Sequence, residues 1–194
     1  MARAPEFDRE EALAKAMRTF WQRGYESTSM ADLLNATGLS RSSLYSTFGS
    51  KHALFVEAYD LYRRERTEKL EATLEQHPAP EGIRTFFQEI IDGAHHFPYN
   101  LGCMTTNQAA ELAPSDDEVF ARVDADNLLL ETAFTKHIRA GQAAGSVPSH
   151  IDAAEAARAF VAAFSGFQLT VRAGLERTKQ LEAALNYLMR PLEG

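Results

Sequence analysis

The sequence predicts an all-α protein of about nine helices: an N-terminal three-helix head containing a helix-turn-helix, then a larger helical body. Three observations carry this. Apolar residues recur at spacings of three and four along almost the whole chain, as they do in helices with one buried face. Strand-like alternation never extends beyond a few residues, and Val, Ile and Thr do not cluster. Gly and Pro fall between the periodic segments, beside Ser residues suited to cap helices.

In the first helix Leu13, Met17, Phe20 and Trp21 form the buried stripe, and Gly24 ends it. Ser29 opens a short second helix, with Asp32 three residues on as the acid of a capping box. Met30, Leu33 and Leu34 supply its inner side, and Gly38 stops it. Ser40 is the N-cap of a third helix ending near Gly49, anchored by Leu44 and Phe48. Ser50 caps a long fourth helix reaching about Gln76, with Leu54, Phe55, Ala58, Leu61 and Tyr62 inward.

The segment "HPAPEG" at 77–82 is a clear break. Ile83, Phe86, Phe87, Ile90, Ile91 and Ala94 then define a fifth helix, and "HHFPYNLG" interrupts it. A sixth starts near Cys103 and ends before Pro114. Ser115 is expected to cap a seventh, with Val119, Phe120, Val123, Leu130, Phe134 and Ile138 inward, ending at "GQAAGSVP". Ile151 to about Gly174 reads as an apolar eighth helix, and Glu176 to Arg190 as the last. The expected organisation is a head at 1–50, a bridging helix at 51–76 and a body at 77–194.

The formal charge is −7, but it is unevenly spread. Residues 1–66 hold ten Lys and Arg against nine Asp and Glu, whereas residues 67–194 hold ten against eighteen. Contact with a polyanion therefore belongs to the head. The single cysteine, Cys103, excludes an intrachain disulfide, and the acidic N-terminal stretch does not read as a leader, so a cytoplasmic protein is expected. No apolar run approaches the roughly 18 residues that cross a bilayer, so no membrane partner is expected.

The stretch "GLSRSSLYSTFGSKHALF", 38–55, is unusual. Its third helix carries Ser42, Ser43, Tyr45 and Thr47 outward, flanked by Arg41 and Lys51. Two helices joined by a tight turn, the second slim and rich in hydroxyls, suit a helix that enters the major groove of DNA. The N-termini at Ser29 and Ser40 offer free N–H groups to phosphates.

Residues 24–55, "GYESTSMADLLNATGLSRSSLYSTFGSKHALF", resemble the TetR-type transcriptional regulators. The shared pattern is Gly-aromatic, Thr-Ser, an Ala/Thr-Gly-Leu-Ser turn, a small polar stretch, Leu-Tyr, Phe, Lys and Leu. The sequence departs from it at Thr37, where Ala is usual, and at Thr47, where His is frequent. The resemblance implies a homodimeric repressor that binds a palindromic double-stranded operator and is released by a small molecule. It implies phosphate contacts from Thr28, Tyr45, Thr47 and Lys51, and base contacts from Arg41, Ser42 and Ser43.

It also implies that the body binds the effector and that its last two helices form the dimer interface. Ala159, Ala163 and Gly166 would permit close helix approach, with Leu181, Leu185 and Leu188 as the stripe on the last helix. The alternative for both is an intrachain core. For the effector the candidates are Phe87, Phe97, Tyr99, Phe120, Phe134 and Phe164 as aromatic walls, with Asn107, Asn127 and Gln168 as polar groups. An apolar or aromatic effector with one or two polar groups would suit them. Cys103 has two readings: a packed small side chain, or a sensor of oxidants or electrophiles acting at a helix N-terminus.

Other classes of function find little support. The six histidines form no HExxH and no Glu-x-x-His pair, there is no Gly-rich phosphate loop and no nucleophile elbow, so no metal, cofactor or catalytic residue is expected. A helical small-molecule-binding protein without operator recognition would leave the hydroxyl-rich face at 40–47 unexplained.

Overall fold

The computed structural model describes residues 7–93, 101–174 and 177–194, and these form nine helices and no strand. They are α1 Arg9–Arg23, α2 Met30–Thr37, α3 Arg41–Phe48, α4 Lys51–Gln76, α5 Glu81–Gly93, α6 Met104–Glu111, α7 Asp117–Ala144, α8 Ala153–Arg172 and α9 Thr178–Glu193. The expected fold class is therefore found.

Local chemistry explains the boundaries in the head. The Asp8 carboxylate accepts from the Glu10 and Glu11 N–H groups and starts α1. At Ser29 the expected capping box is complete: its hydroxyl oxygen accepts from the Asp32 N–H, and the Ser29 N–H donates to the Asp32 carboxylate. Gly38 stops α2 in the left-handed region, φ +72°, a conformation that side chains bearing a Cβ resist. Phe20, Leu33, Leu44, Phe48, Leu54 and Phe55 are all buried and weld α1 to α4 into one core.

In the body, α7 and α8 pack along each other, and α5 lies against α4, α8 and α9. An aromatic core fills the centre. Phe86 stacks on Phe164 at 5.6 Å, and Phe87 meets Phe167 edge-on at 5.2 Å and Phe134 at 6.3 Å. Phe87 and Phe134 are fully enclosed in this core.

Several expectations need correction. The cap of α7 is Asp116, whose carboxylate accepts from the Val119 N–H; the Ser115 hydroxyl turns back to the Leu112 carbonyl. A carboxylate one residue later serves the helix dipole better. The last helix passes Arg190, because Pro191 in its final turn forfeits only one N–H while Leu192 beyond it is buried. On α7, Phe120 and Asn127 face solvent, and the polar residue on the buried stripe is Asp126, 1 % exposed. Leu181 and Leu185 are buried against the chain's own core, so they offer no surface to a second subunit; Leu188 is half-buried.

Candidate nucleic-acid interface and ligand cavity

The outer face of α3 presents Arg41, Ser42 and Tyr45 to solvent, with Ser43 and Thr47 half-buried beside them. Leu44 and Phe48, four residues apart, carry the aliphatic and phenyl bulk inward, which leaves Tyr45 as the one aromatic side chain on the outer face. Ser40 accepts from the Ser43 N–H and lies 2.9 Å from both the Ser42 and Ser43 hydroxyls, so three hydroxyls share protons at the start of the helix. Each keeps acceptor or donor capacity for a base edge. Lys51, at the start of α4, holds its ammonium 4.3 Å from the centroid of the Tyr25 ring.

Two of the nine sequence candidates behave differently from the rest. Thr28 is fully buried and its hydroxyl donates to the Gly24 carbonyl at 2.6 Å, so it braces the α1–α2 turn and offers nothing to a phosphate. The Ser29 hydroxyl donates to Asp32 at 2.6 Å, and that carboxylate also pairs with Arg23. The Ser29 bonds and Arg23 outweigh the slight burial and hold the Asp32 carboxyl below its ordinary range. The departure at Thr37 has a local reason: its hydroxyl donates to the Leu33 carbonyl and accepts from the Leu39 N–H, tying the turn between the two helices.

A cavity of about 440 Å³ opens between α1, α4, α5 and α8. Trp21, Leu70, Phe86, Ile90 and Phe164 make its apolar walls, and Arg66 and Gln168 are polar groups within it. Of the effector residues expected from sequence, Phe164 and Gln168 line this cavity. Phe87 and Phe134 are buried in the core and do not line it, and Phe120 and Asn127 are exposed on α7 and do not line it either. The Asn107 side chain donates to the Leu101 carbonyl and so holds the loop at the cavity's edge. Phe97 and Tyr99 lie outside the described residues. Cys103 is 2 % exposed and accepts a hydrogen bond from the Tyr62 hydroxyl at 3.3 Å. Burial, opposed only in part by Arg66, pushes the Tyr62 phenol well up, so it stays a donor.

Sequence reasoning missed the polar spine beside this cavity. The Asp126 carboxylate accepts from Arg63 Nε at 2.8 Å and from the Thr105 hydroxyl at 2.6 Å, with Arg66 Nη2 at 3.6 Å. Arg63 also pairs with Asp60, and Asp60 with Arg122. Burial works to raise the Asp60 carboxyl, but the hydrogen bonds from Arg122 and Arg63 outweigh it and hold it low. The one sequence signal was the RRER run at 63–66 on a helix face shared with Tyr59 and Tyr62.

Several polar contacts join the body to the head and to α4. Trp21 Nε1 donates to the Gly102 carbonyl, and Arg172 donates to the carbonyls of Trp21 and Leu101. At the end of α6, Glu111 accepts from the Glu26 N–H and from Gln108, and lies so close to Gly24 that a Cβ there would fall 2.7 Å from its carboxylate. His52 on α4 pairs with Asp116 at 2.7 Å. Burial works against the charged Asp116, yet the Val119 N–H and His52 hold its carboxyl below the ordinary range.

Comparison with known proteins finds the same architecture elsewhere. Residues 12–58 match the family model described as bacterial regulatory proteins of the tetR family, and residues 79–188 match the tetracyclin repressor-like C-terminal domain. The HTH-type transcriptional repressor ComR of Escherichia coli (strain K12) is 31 % identical over 180 residues, covering 92 % of this chain and 86 % of that protein. The HTH-type transcriptional repressor DhaR of Mycobacterium sp. (strain GP1) is 25 % identical over 182 residues, covering 93 % and 88 %. Among solved structures, a cysteine mutant of the regulator CifR complexed with 26bp double-strand operator DNA superposes with a TM-score of 0.85. It is 28 % identical, with 97 % of this chain and 98 % of that chain covered.

Proposed function

The chain belongs to the TetR family of bacterial regulatory proteins, and we propose that it is a cytoplasmic repressor gripping a palindromic operator as a homodimer. The observation that carries the reading is the slim, hydroxyl-rich outer face of α3, set beside Arg41 and Lys51 on a tightly turned pair of helices. Such a face is costly for a helix meant only for water, and it matches the acceptor-rich edges of a major groove. Tyr45, Thr47 and Lys51 bind phosphates, and Arg41, Ser42 and Ser43 read bases. In a dimer the two copies of α3 sit about one DNA turn apart, roughly 34–36 Å.

The second surface of the dimer is the outer face of α8 with its small residues. Ala159 and Gly166 are exposed, Ala163 is half-buried, and nothing lies within 4 Å of a Cβ added at Gly166. The apolar Leu169 on α8 and Tyr187 on α9 are 49 % and 68 % exposed, so each of the last two helices carries an exposed apolar side chain. That combination supports a helix-on-helix contact between subunits.

The effector occupies the cavity under Trp21. A molecule there touches Trp21 on α1 and the 101–102 loop directly, and that loop leads through α6 to Glu111 and the α1–α2 turn. A ligand favouring a displaced loop would shift the spacing of the two heads, and release follows from its differential affinity for the two states. In vitro selection of duplex sites by the purified protein at near-physiological salt tests the DNA reading. The expected result is a palindrome with half-sites about one turn apart; recovery of sequence-blind DNA alone would overturn it.

A further inference from the structure

We infer that the effector is an anionic amphiphile, an apolar body ending in a carboxylate that the Arg66 guanidinium receives. The inference rests on the reading of the cavity as the effector site and specifies its chemistry. Arg66 lines the cavity with its side chain 12 % exposed. Its terminal nitrogen Nη2 is buried and has no hydrogen-bond partner among the described residues. A buried guanidinium nitrogen without an acceptor is costly, and an acceptor on a molecule in the cavity would remove that cost.

The neighbouring carboxylate does not meet that need. Asp126 lies 3.6 Å from Nη2, within reach of attraction but beyond a good hydrogen bond, and its two oxygens already accept from Arg63 and Thr105. Among the described residues, a further acceptor near Arg66 is the Cys103 sulfur, 3.9 Å from Nη1, a weak one. Charge counting among the described residues gives no surplus elsewhere to draw on: Arg122 shares Asp60 and Glu118, Arg63 shares Asp60 and Asp126, and Arg66 reaches only Asp126, at 3.6 Å.

Among the described residues the other charged groups lining the cavity are Glu65, Lys69 and Glu89. Lys69 and Glu89 pair with each other at 2.8 Å, and Glu65 is exposed and screened by water. The apolar walls set the rest of the ligand. Trp21, Leu70, Phe86, Ile90 and Phe164 receive a chain or ring, the Phe164 ring lies 6.0 Å from the Arg66 guanidinium carbon, and Gln168 offers a second hydrogen bond to the head group. A volume of about 440 Å³ is at the small end of the range for small-molecule sites.

Trp21 is the protein's single tryptophan and lines the cavity, so its fluorescence reports occupancy. Decanoate is titrated against decanamide, and 4-cyclohexylbutyrate against its amide, on wild type, Arg66→Gln and Arg66→Lys. Operator affinity is followed in parallel. Wild type should bind each acid about tenfold or more tighter than its amide, the value of a charge-assisted bond over a neutral one. Arg66→Gln should erase the preference and Arg66→Lys keep most of it. Equal binding of acid and amide by wild type, a preference that survives Arg66→Gln, or no response to either acid would overturn the inference, and the wild-type ratio serves even if Arg66→Gln folds poorly. Acids that bind with this preference yet leave operator affinity unchanged would keep the anion site and overturn its role as the effector site.

Discussion

Thr28 and Tyr45 are both hydroxyl residues of the recognition motif, yet the structure gives them opposite work. Thr28 braces Gly24 from a fully buried position, while Tyr45 stands 41 % exposed on the face of α3. Thr28→Val should lower stability by about 1 kcal/mol, read as a shift in thermal midpoint, with operator affinity unchanged once the fold is intact. Tyr45→Phe should leave the midpoint alone and weaken binding to every DNA sequence alike. Lys51→Ala should do the same with a salt slope shallower by about 1, whereas Arg41→Ala and Ser43→Ala should relax preference at particular base pairs. Equal losses on specific and random DNA for all four DNA-facing changes would refute the division between gripping and reading. Asp126 is costly to lose: Asp126→Ala would remove the buried carboxylate bonded to Arg63 and the nearest negative charge to Arg66, a penalty of about 3–5 kcal/mol in denaturant unfolding.

At the scale of elements, α4 and α7 are held together by charge as well as by packing. The Asp60–Arg122 and Arg63–Asp126 pairs lie across that contact, and the bonds from Arg122 and from Arg63 on the same helix keep the Asp60 carboxyl below its ordinary value. Their contribution to stability is complete above the ordinary carboxylate pKa, near 4, and is lost as pH falls through the lower folded value. The midpoint difference between wild type and Asp60→Asn should therefore be present at neutral pH and close as the solution is acidified below about pH 4. A difference that stays constant down to pH 2 would show the pair to be uncoupled from folding.

At the scale of the whole molecule, the proposed release of operator by an effector requires cavity and head to move together. Glu111 and His52 sit where the body meets the head, each holding one polar link. Glu111→Gln with His52→Ala should retain operator binding and weaken the release caused by a bound effector, measured by titrating effector into a protein–operator complex. Full release by the double variant would show that the signal travels elsewhere. Dimerisation has its own test: Gly166→Arg places a large charged group in open space, so the subunit should fold but sediment as a monomer and lose operator affinity.

What the sequence determined by itself is the set of features governed by near neighbours. Helix periodicity, the Ser29 and Ser40 caps, the Gly38 stop and the hydroxyls of α3 are all written within a few residues of each other, and local hydrogen bonding fixes them. The tertiary structure alone decided which side of a stripe is inside. Asp126 and Asn127 each fit the spacing between Val123 and Leu130, and the usual cost of burying a carboxylate favours Asn127. Arg63 and Thr105, more than twenty residues away, reverse that cost by bonding Asp126. The same holds for Leu181 and Leu185: a leucine stripe states only that it must be covered, and the neighbour that covers it here is the chain's own core.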